Sequence, residues 1–433
     1  MKIFECPENV LSPDIIKFLE EVETFDIDIE KNVSTMLSTI RAYGFEAVKN
    51  YTKKFDNFEL TEQNIRVSKE EIDILAKKID PQLSAYLEKA VERVKHFHSM
   101  QVEHGFDITD NEGNKMGQKV VPLESVAVYV PGGRALYPST FYMTVIPALI
   151  AGVKRIVVLT PPRTFIESPE VARLIQILGI EEVYRGAGAA LVLAAAYGKS
   201  GIAKVDKIVG PGNSYIAKAK QMCYGKIDID MIAGPSDICV IADTHAEEDI
   251  PLIASDLLSQ AEHDPHARAV LIATNRAFAD KIKIELYKQT ESLGESGKIA
   301  IESLNNKGMI LVTTDRINAV KLANQIAPEH LELFSDDPYN LLDYVKYAGS
   351  VFLGKNTPES VGDYIGGPNH VLPTSGTSRF FSPLGVYDFT TRFSYLEFSR
   401  ESLEKYKPVI TGIARTEKLE AHARAVETRF IEK

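Results

Sequence analysis

Cysteine is scarce: the 433 residues hold three, Cys6, Cys223 and Cys239. So few in a chain this long exclude a disulfide framework and point to a reducing compartment, the cytoplasm. The two beside the α/β units, Cys223 and Cys239, read as packing residues, since neither adjoins a candidate base. No apolar run reaches the ~18 residues that a membrane-spanning helix needs. The opening MKIFECPENVL has a lysine but no apolar core, unlike a secretory signal. Basic runs are missing as well. Lys and Arg number 49 against 60 Asp and Glu, a net charge of -11, which argues against a nucleic-acid or membrane-surface partner. The dinucleotide fingerprint G-x-G-x-x-G is also absent.

What is present suits a globular enzyme. Hydrophobic residues make up 45% of the chain, and mean hydropathy is -0.09. The length calls for two or three domains. Residues 1–125 read as mostly helical, with Ser68 and Glu71 spaced as a capping box and a helical stripe along PQLSAYLEKAVERVKHFH. His96, His98 and His104 in this region fit a solvated helix face better than a metal site. From 126 strands and helices alternate: SVAVYVPGG, KRIVVLTPP, EEVYRG and VDKIVGPG are strands, and SPEVARLIQILG is a helix capped by Ser168 with Pro169 behind it. Alternation of this kind implies a parallel sheet. A second such run extends from SDICVIAD to about 355.

The expected fold is therefore α/β: two Rossmann-like, doubly wound domains, one inserted in the other. The inserted one is 126–236 and the host is 1–125 with 237–380. A small helical C-terminal tail, 381–433, is light in apolar residues and must cover its stripe on the main body or on a second subunit. Glycine clusters close the strands of the inserted domain: Pro131-Gly132-Gly133, Gly186-Ala187-Gly188 and Gly210-Pro211-Gly212. They suit either tight strand-to-helix turns or an anion cradle for a cofactor.

Candidate chemistry gathers in SQAEHD, 259–264. Gln260 and His263 are three apart near the end of a helix marked by Ile250, Ile253, Leu257 and Leu258, so both point from one face. An amide oxygen and an imidazole are ligands for a borderline metal such as zinc. Asp363 in VGDY, His330 in APEH, His370 in GGPNHVLPT and His422 in EKLEAH are further candidates. Glu417 and His422 share one expected helix. Pro328 should stop the helix before it and leave Glu329 and His330 side by side on an irregular turn. There the imidazole can take a hydroxyl proton and the carboxylate can activate water.

Several long motifs occur together: VAVYVPGGRALYPST, VDKIVGPGNSYIAKAK, DMIAGPSD, LLSQAEHDPHA, APEHLEL, GDYIGGPNHVLPTSGT and EKLEAH. In content and order they resemble histidinol dehydrogenase, from about residue 30 to the C-terminus. The resemblance implies an NAD-dependent homodimer with one zinc ion per subunit, oxidising L-histidinol through the aldehyde to L-histidine. By position it marks Gln260, His263, Asp363 and His422 as zinc ligands and Glu329 and His330 as the acid–base pair. Ser236 and Glu417, with His330 and the ligands, would contact substrate; Tyr129 and Asn213 would contact NAD. Each active site would be shared, with His422 supplied by the other chain. Two positions depart from the family pattern. Ala190 stands where a cofactor-contacting glutamine is usual, and Asp237 replaces a glutamate in GPSD. A related dehydrogenase of another polar alcohol and a zinc hydrolase using Glu329 remain as alternative readings. A non-catalytic binding protein would leave the acid–base pair without purpose.

Overall fold

The computed structural model describes residues 1–7, 10–20, 27–132, 137–232 and 234–431, so Gly133 of the first glycine cluster lies outside them. Two compact units emerge: Met1–Gln101 with Leu123–Phe389, and Val102–Pro122 with Thr390–Lys433. In chain order the strands are β1 (Lys2–Glu5), β2 (Phe106–Thr109), β3 (Lys115–Pro122), β4 (Ser125–Tyr129), β5 (Arg155–Thr160), β6 (Glu182–Arg185) and β7 (Lys207–Val209). They continue as β8 (Asp228–Ile229), β9 (Asp237–Asp243), β10 (Arg268–Ala273), β11 (Met309–Val312), β12 (His330–Ser335), β13 (Ser350–Leu353) and β14 (Thr390–Glu397).

The larger unit contains two sheets, a five-stranded one in the order β6-β5-β4-β7-β8 and a six-stranded one in the order β1-β11-β10-β9-β12-β13. Every pairing in both is parallel. Alternation along each strand feeds a core on either face. Val126 and Val128 point to one apolar cluster, Ala127 and Tyr129 to another. In the other sheet Ile238 and Val240 oppose Cys239 and Ile241 in the same way. Burial on both faces is why these strands read as unbroken apolar runs. Local signals hold as well: Ser68 and Glu71 form the capping box, and Ser168 caps the Pro169–Leu178 helix through the Val171 N–H. Among the described residues no helix is long and apolar enough to cross a membrane.

The N-terminal region divides differently from the expected 1–125 block. Only its first residues join the six-stranded sheet: β1 pairs with β11, and Leu11, Ile15 and Phe18 enter that sheet's core. The helices that follow cover the five-stranded sheet instead, through Val33, Met36, Ile40 and Val48 on one face and Leu87, Val91 and Val94 on the other. The physical reason is coverage: both faces of that sheet are apolar, and these stripes complete the cover begun by its own crossover helices. His98 lies on the inner side, fully buried, with Nδ1 2.7 Å from Gln101 Oε1; His96 and His104 are exposed as expected.

The smaller unit is an antiparallel sheet, β14-β3-β2, with helices Arg400–Thr416 and Glu420–Glu427. Neither β2 and β3, in a stretch that reads as helical, nor β14, in the expected helical tail, was anticipated. The hairpin signal is DNEGN: the Asp110 carboxylate accepts the N–H groups of Glu112 and Asn114, both at 2.9 Å, and Gly113 turns with φ +79°.

Candidate active site

The five-stranded sheet reverses its order between β4 and β7, and loops leave the carboxyl ends of both strands there. Gly210 heads the second loop with φ +114°, and a Cβ would fall 2.3 Å from the Tyr129 carbonyl oxygen, so no other residue fits. Asn213 ends the loop by capping helix Ser214–Cys223, its side chain accepting the Tyr215 and Ile216 N–H groups.

The six-stranded sheet contributes its amino ends instead. Helix Arg316–Ile326 stops ahead of Pro328, with Ala327 in the left-handed region at φ +53°. His330 does not stay on an irregular turn: it becomes the first residue of β12, in register with Ile238 of β9. Glu329 and His330 are both braced by Asp237. The Asp237 N–H donates to Glu329 Oε2 at 3.0 Å, and the Glu329 N–H donates to Asp237 Oδ1 at 2.9 Å. The Ser375 N–H takes the other oxygen, Oδ2, at 3.0 Å. His330 Nδ1 lies 3.1 Å from the Asp237 carbonyl. A carbonyl can only accept, so Nδ1 carries the proton and Nε2 is the basic nitrogen. Burial pushes the Glu329 carboxyl up to about 8, with Asp237 and Glu359 adding to the effect and His330 opposing it.

Gln260 occupies the last turn of helix Ile250–Ala261, and His263 follows with Nδ1 2.8 Å from the Ser259 carbonyl. With the Gln260 amide oriented so that both its ends are satisfied, its nitrogen donates to Glu359 Oε1 at 2.5 Å and its oxygen accepts the Asp237 N–H at 3.2 Å. Ser259 Oγ donates to Glu359 Oε2 at 3.0 Å. Burial, with Asp363 nearby, drives the Glu359 carboxyl well above its ordinary range. Asp363 behaves oppositely. Burial alone would raise it, but the imidazoles of His370 (3.7 Å away), His330 and His263 hold it below the usual range. Ligand atoms of His330, Glu359 and Asp363 all lie within 4.8 Å of one another, a group able to hold a cation.

These two sets of residues face one cavity of about 520 Å³, bordered by Gly210–Asn213 on one side and by Ser236, Gln260, His263, Glu329, His330 and Asp363 on the other. A family model described as histidinol dehydrogenase matches residues 20–430. The chain belongs to the histidinol dehydrogenase family. It is accordingly an oxidoreductase of histidine biosynthesis. A histidinol dehydrogenase from Bacillus cereus is 46% identical over 431 residues, covering 99% of each chain. One from Aquifex aeolicus is 46% identical over 408 residues, 94% of each. The crystal structure of histidinol dehydrogenase from Elizabethkingia anophelis superposes with a TM-score of 0.91 at 33% identity, covering 99% of this chain and 98% of that one.

Other residues marked by the family resemblance are not among those that line the cavity. Tyr129 is 4% exposed, its ring inside an apolar cluster, where its hydroxyl would meet a Cβ on Gly188 at 2.4 Å. Ala190 is fully buried in the same cluster. Glu417 and His422 belong to the smaller unit and are exposed. They do not share a helix: Glu417 caps one, Lys418 turns with φ +62°, and His422 lies in the next. Glu359 was missed because a glutamate after proline at a helix start looks like ordinary first-turn chemistry. Asp237 stood out only as a substitution, with no sign that it braces the pair.

Proposed function

We propose that this chain oxidises L-histidinol through L-histidinaldehyde to L-histidine, using NAD and a zinc ion, as a homodimer with shared active sites. The observation that carries the reading is the meeting of Glu329 and His330 with Gln260, His263 and Asp363 around one cavity. The donor set fits zinc: an imidazole with its other nitrogen already tied to a carbonyl, a carboxylate kept ionised, and an amide. For Gln260 to serve, its amide must turn its oxygen from the Asp237 N–H toward the cavity. His422 of a second copy would complete the set, and Glu417 of that copy would contact substrate.

Zinc bound there would anchor the substrate's amino and imidazole nitrogens, and NAD would accept hydride at each oxidation. The chain's own groups do the rest. Gln260, His263 and Asp363 fix the orientation of the carbinol. His330 takes the hydroxyl proton at Nε2 while Asp237 holds the opposite nitrogen. Glu329, beside it in the same buried pocket, removes a proton from the water that adds to the aldehyde. Ser236 and Asn213 lie on the wall; the first would contact substrate and the second the cofactor. The test is direct: purified protein with L-histidinol and NAD, followed at the NADH absorbance band with and without a chelator. Two NADH per L-histidinol, lost on chelation and restored by zinc, is expected. Turnover of a hydrolysable substrate without NAD would overturn it.

A further inference from the structure

Lys220 and Asp230 form an ion pair that is almost wholly enclosed, with side chains 4% and 1% exposed. Both border the cavity, and the chemistry above uses neither. Each also grips Gly210. Lys220 Nζ donates to the Gly210 carbonyl at 2.9 Å, and the Gly210 N–H donates to Asp230 Oδ2 at 2.7 Å. The donor and the acceptor of one residue are thus held by the opposite charges of a single pair. Gly210 lies just past the end of β7, beyond the strand pairing, at a positive φ that glycine alone enters freely. Lys220 comes from the helix that the loop leads into, and Asp230 follows β8. The pair therefore ties loop, helix and neighbouring strand to one another at the point where the loop turns.

Two charges withdrawn from water are a poor source of net stability, and their best use is to specify one geometry among several. We infer that Lys220 and Asp230 are positioning residues for the dinucleotide: together they hold the Gly210–Asn213 loop in its receiving conformation without touching the cofactor. This rests on the reading of NAD as cofactor. Hydrogen bonds to charged groups are strong enough that loosening the loop should weaken binding roughly tenfold or more.

The test is NAD affinity by titration calorimetry on the whole protein, for wild type, Lys220→Met, Asp230→Asn and the double variant. Each single change should raise the Kd for NAD roughly tenfold, and the double change should do no worse than the weaker single variant, because both break one brace. KM for L-histidinol and kcat at saturating NAD should stay within about twofold, a split that general loss of structure would not produce. Should the Met variant fail to fold, Lys220→Gln removes the charge that Asp230 pairs with in a polar side chain of similar bulk, and its NAD affinity beside that of Asp230→Asn carries the same test. Folded variants that bind NAD as wild type does would overturn the brace alone. Single effects that multiply in the double variant would mean that each side chain meets the cofactor separately, and would overturn it too. No NAD binding by wild type would overturn the cofactor reading itself.

Discussion

The two parallel sheets of the larger unit have the same plan. Numbered from β4 and from β9, each runs third, second, first, fourth, fifth, and β1 merely extends the edge of one. Yet they present opposite ends to the cavity. The five-stranded sheet offers the carboxyl ends of β4 and β7, where helices begin; the six-stranded sheet offers the amino ends of β9 and β12, the second of which follows a helix that has just stopped. Helix starts carry partial positive charge and helix ends partial negative charge. One wall thus favours the phosphates of a dinucleotide, and the other, with Gln260 and Asp363 in last turns, favours a cation. One topology used from both ends makes a single cavity with two polarities. The rule that ligands sit at carboxyl ends accounts for half of it.

The strongest way to break this division is at the amino-end wall. His330→Asn should lower turnover by about two to four orders of magnitude while leaving NAD affinity nearly intact. Glu329→Gln should impair oxidation of added L-histidinaldehyde more than that of L-histidinol, in a half-reaction assay; equal losses would remove the assigned role. Next comes the origin of the fourth ligand. His263→Ala and His422→Ala proteins, each inactive, are refolded together. Random pairing makes about half the dimers mixed, and one site in each mixed dimer is intact, so roughly a quarter of wild-type activity should return. No recovery, with dimer exchange confirmed, would place all ligands in one chain.

A smaller effect concerns acidity. The folded-state carboxyl of Glu329 titrates at about 8, above the ordinary 4.5. Folding therefore favours the protonated acid. The stability cost is absent below pH 4.5, grows between 4.5 and 8, and is constant above. Metal-free wild type should lose melting temperature across that window, and Glu329→Gln should show a flatter profile. The smallest effect belongs to the cysteines. Burial pushes the Cys223 thiol up to about 12 and raises Cys239 as well, so neither is a thiolate near neutrality. Cys223→Ala with Cys239→Ala should keep most activity in both half-reactions; selective loss of the aldehyde step would mean covalent trapping.

Legibility in the sequence followed locality. Apolar runs of four to six residues such as RIVVLT and RAVLIA announced parallel strands because both faces of each sheet are covered. Ser68 and Ser168 announced helix starts because capping is settled within three residues. Which sheet the helices of 27–99 would cover was not legible, since an apolar stripe fits either surface equally. At the site, the motif order led to Gln260, His263, Glu329, His330 and Asp363. The brace from Asp237 to Glu329, 92 positions away in sequence, depends on the register of β9 beside β12. The same holds for Glu359, whose partners Ser259 and Gln260 are a hundred positions distant.

The order of synthesis gives the smaller unit a particular place in the life of the chain. Its sheet joins Lys115–Pro122 to Thr390–Glu397, residue for residue, with all of 123–389 made in between. A lone hairpin of β2 and β3 is marginal in water, so it must wait, incompletely paired, until the last segment leaves the ribosome. A chain that stops short of residue 390 can have both parallel sheets but lacks β14 and everything after it, His422 included. Long-range pairing of this kind is slow. With His422 as a ligand it would also tie completion of the proposed zinc site to completion of translation, and truncated products would be inert.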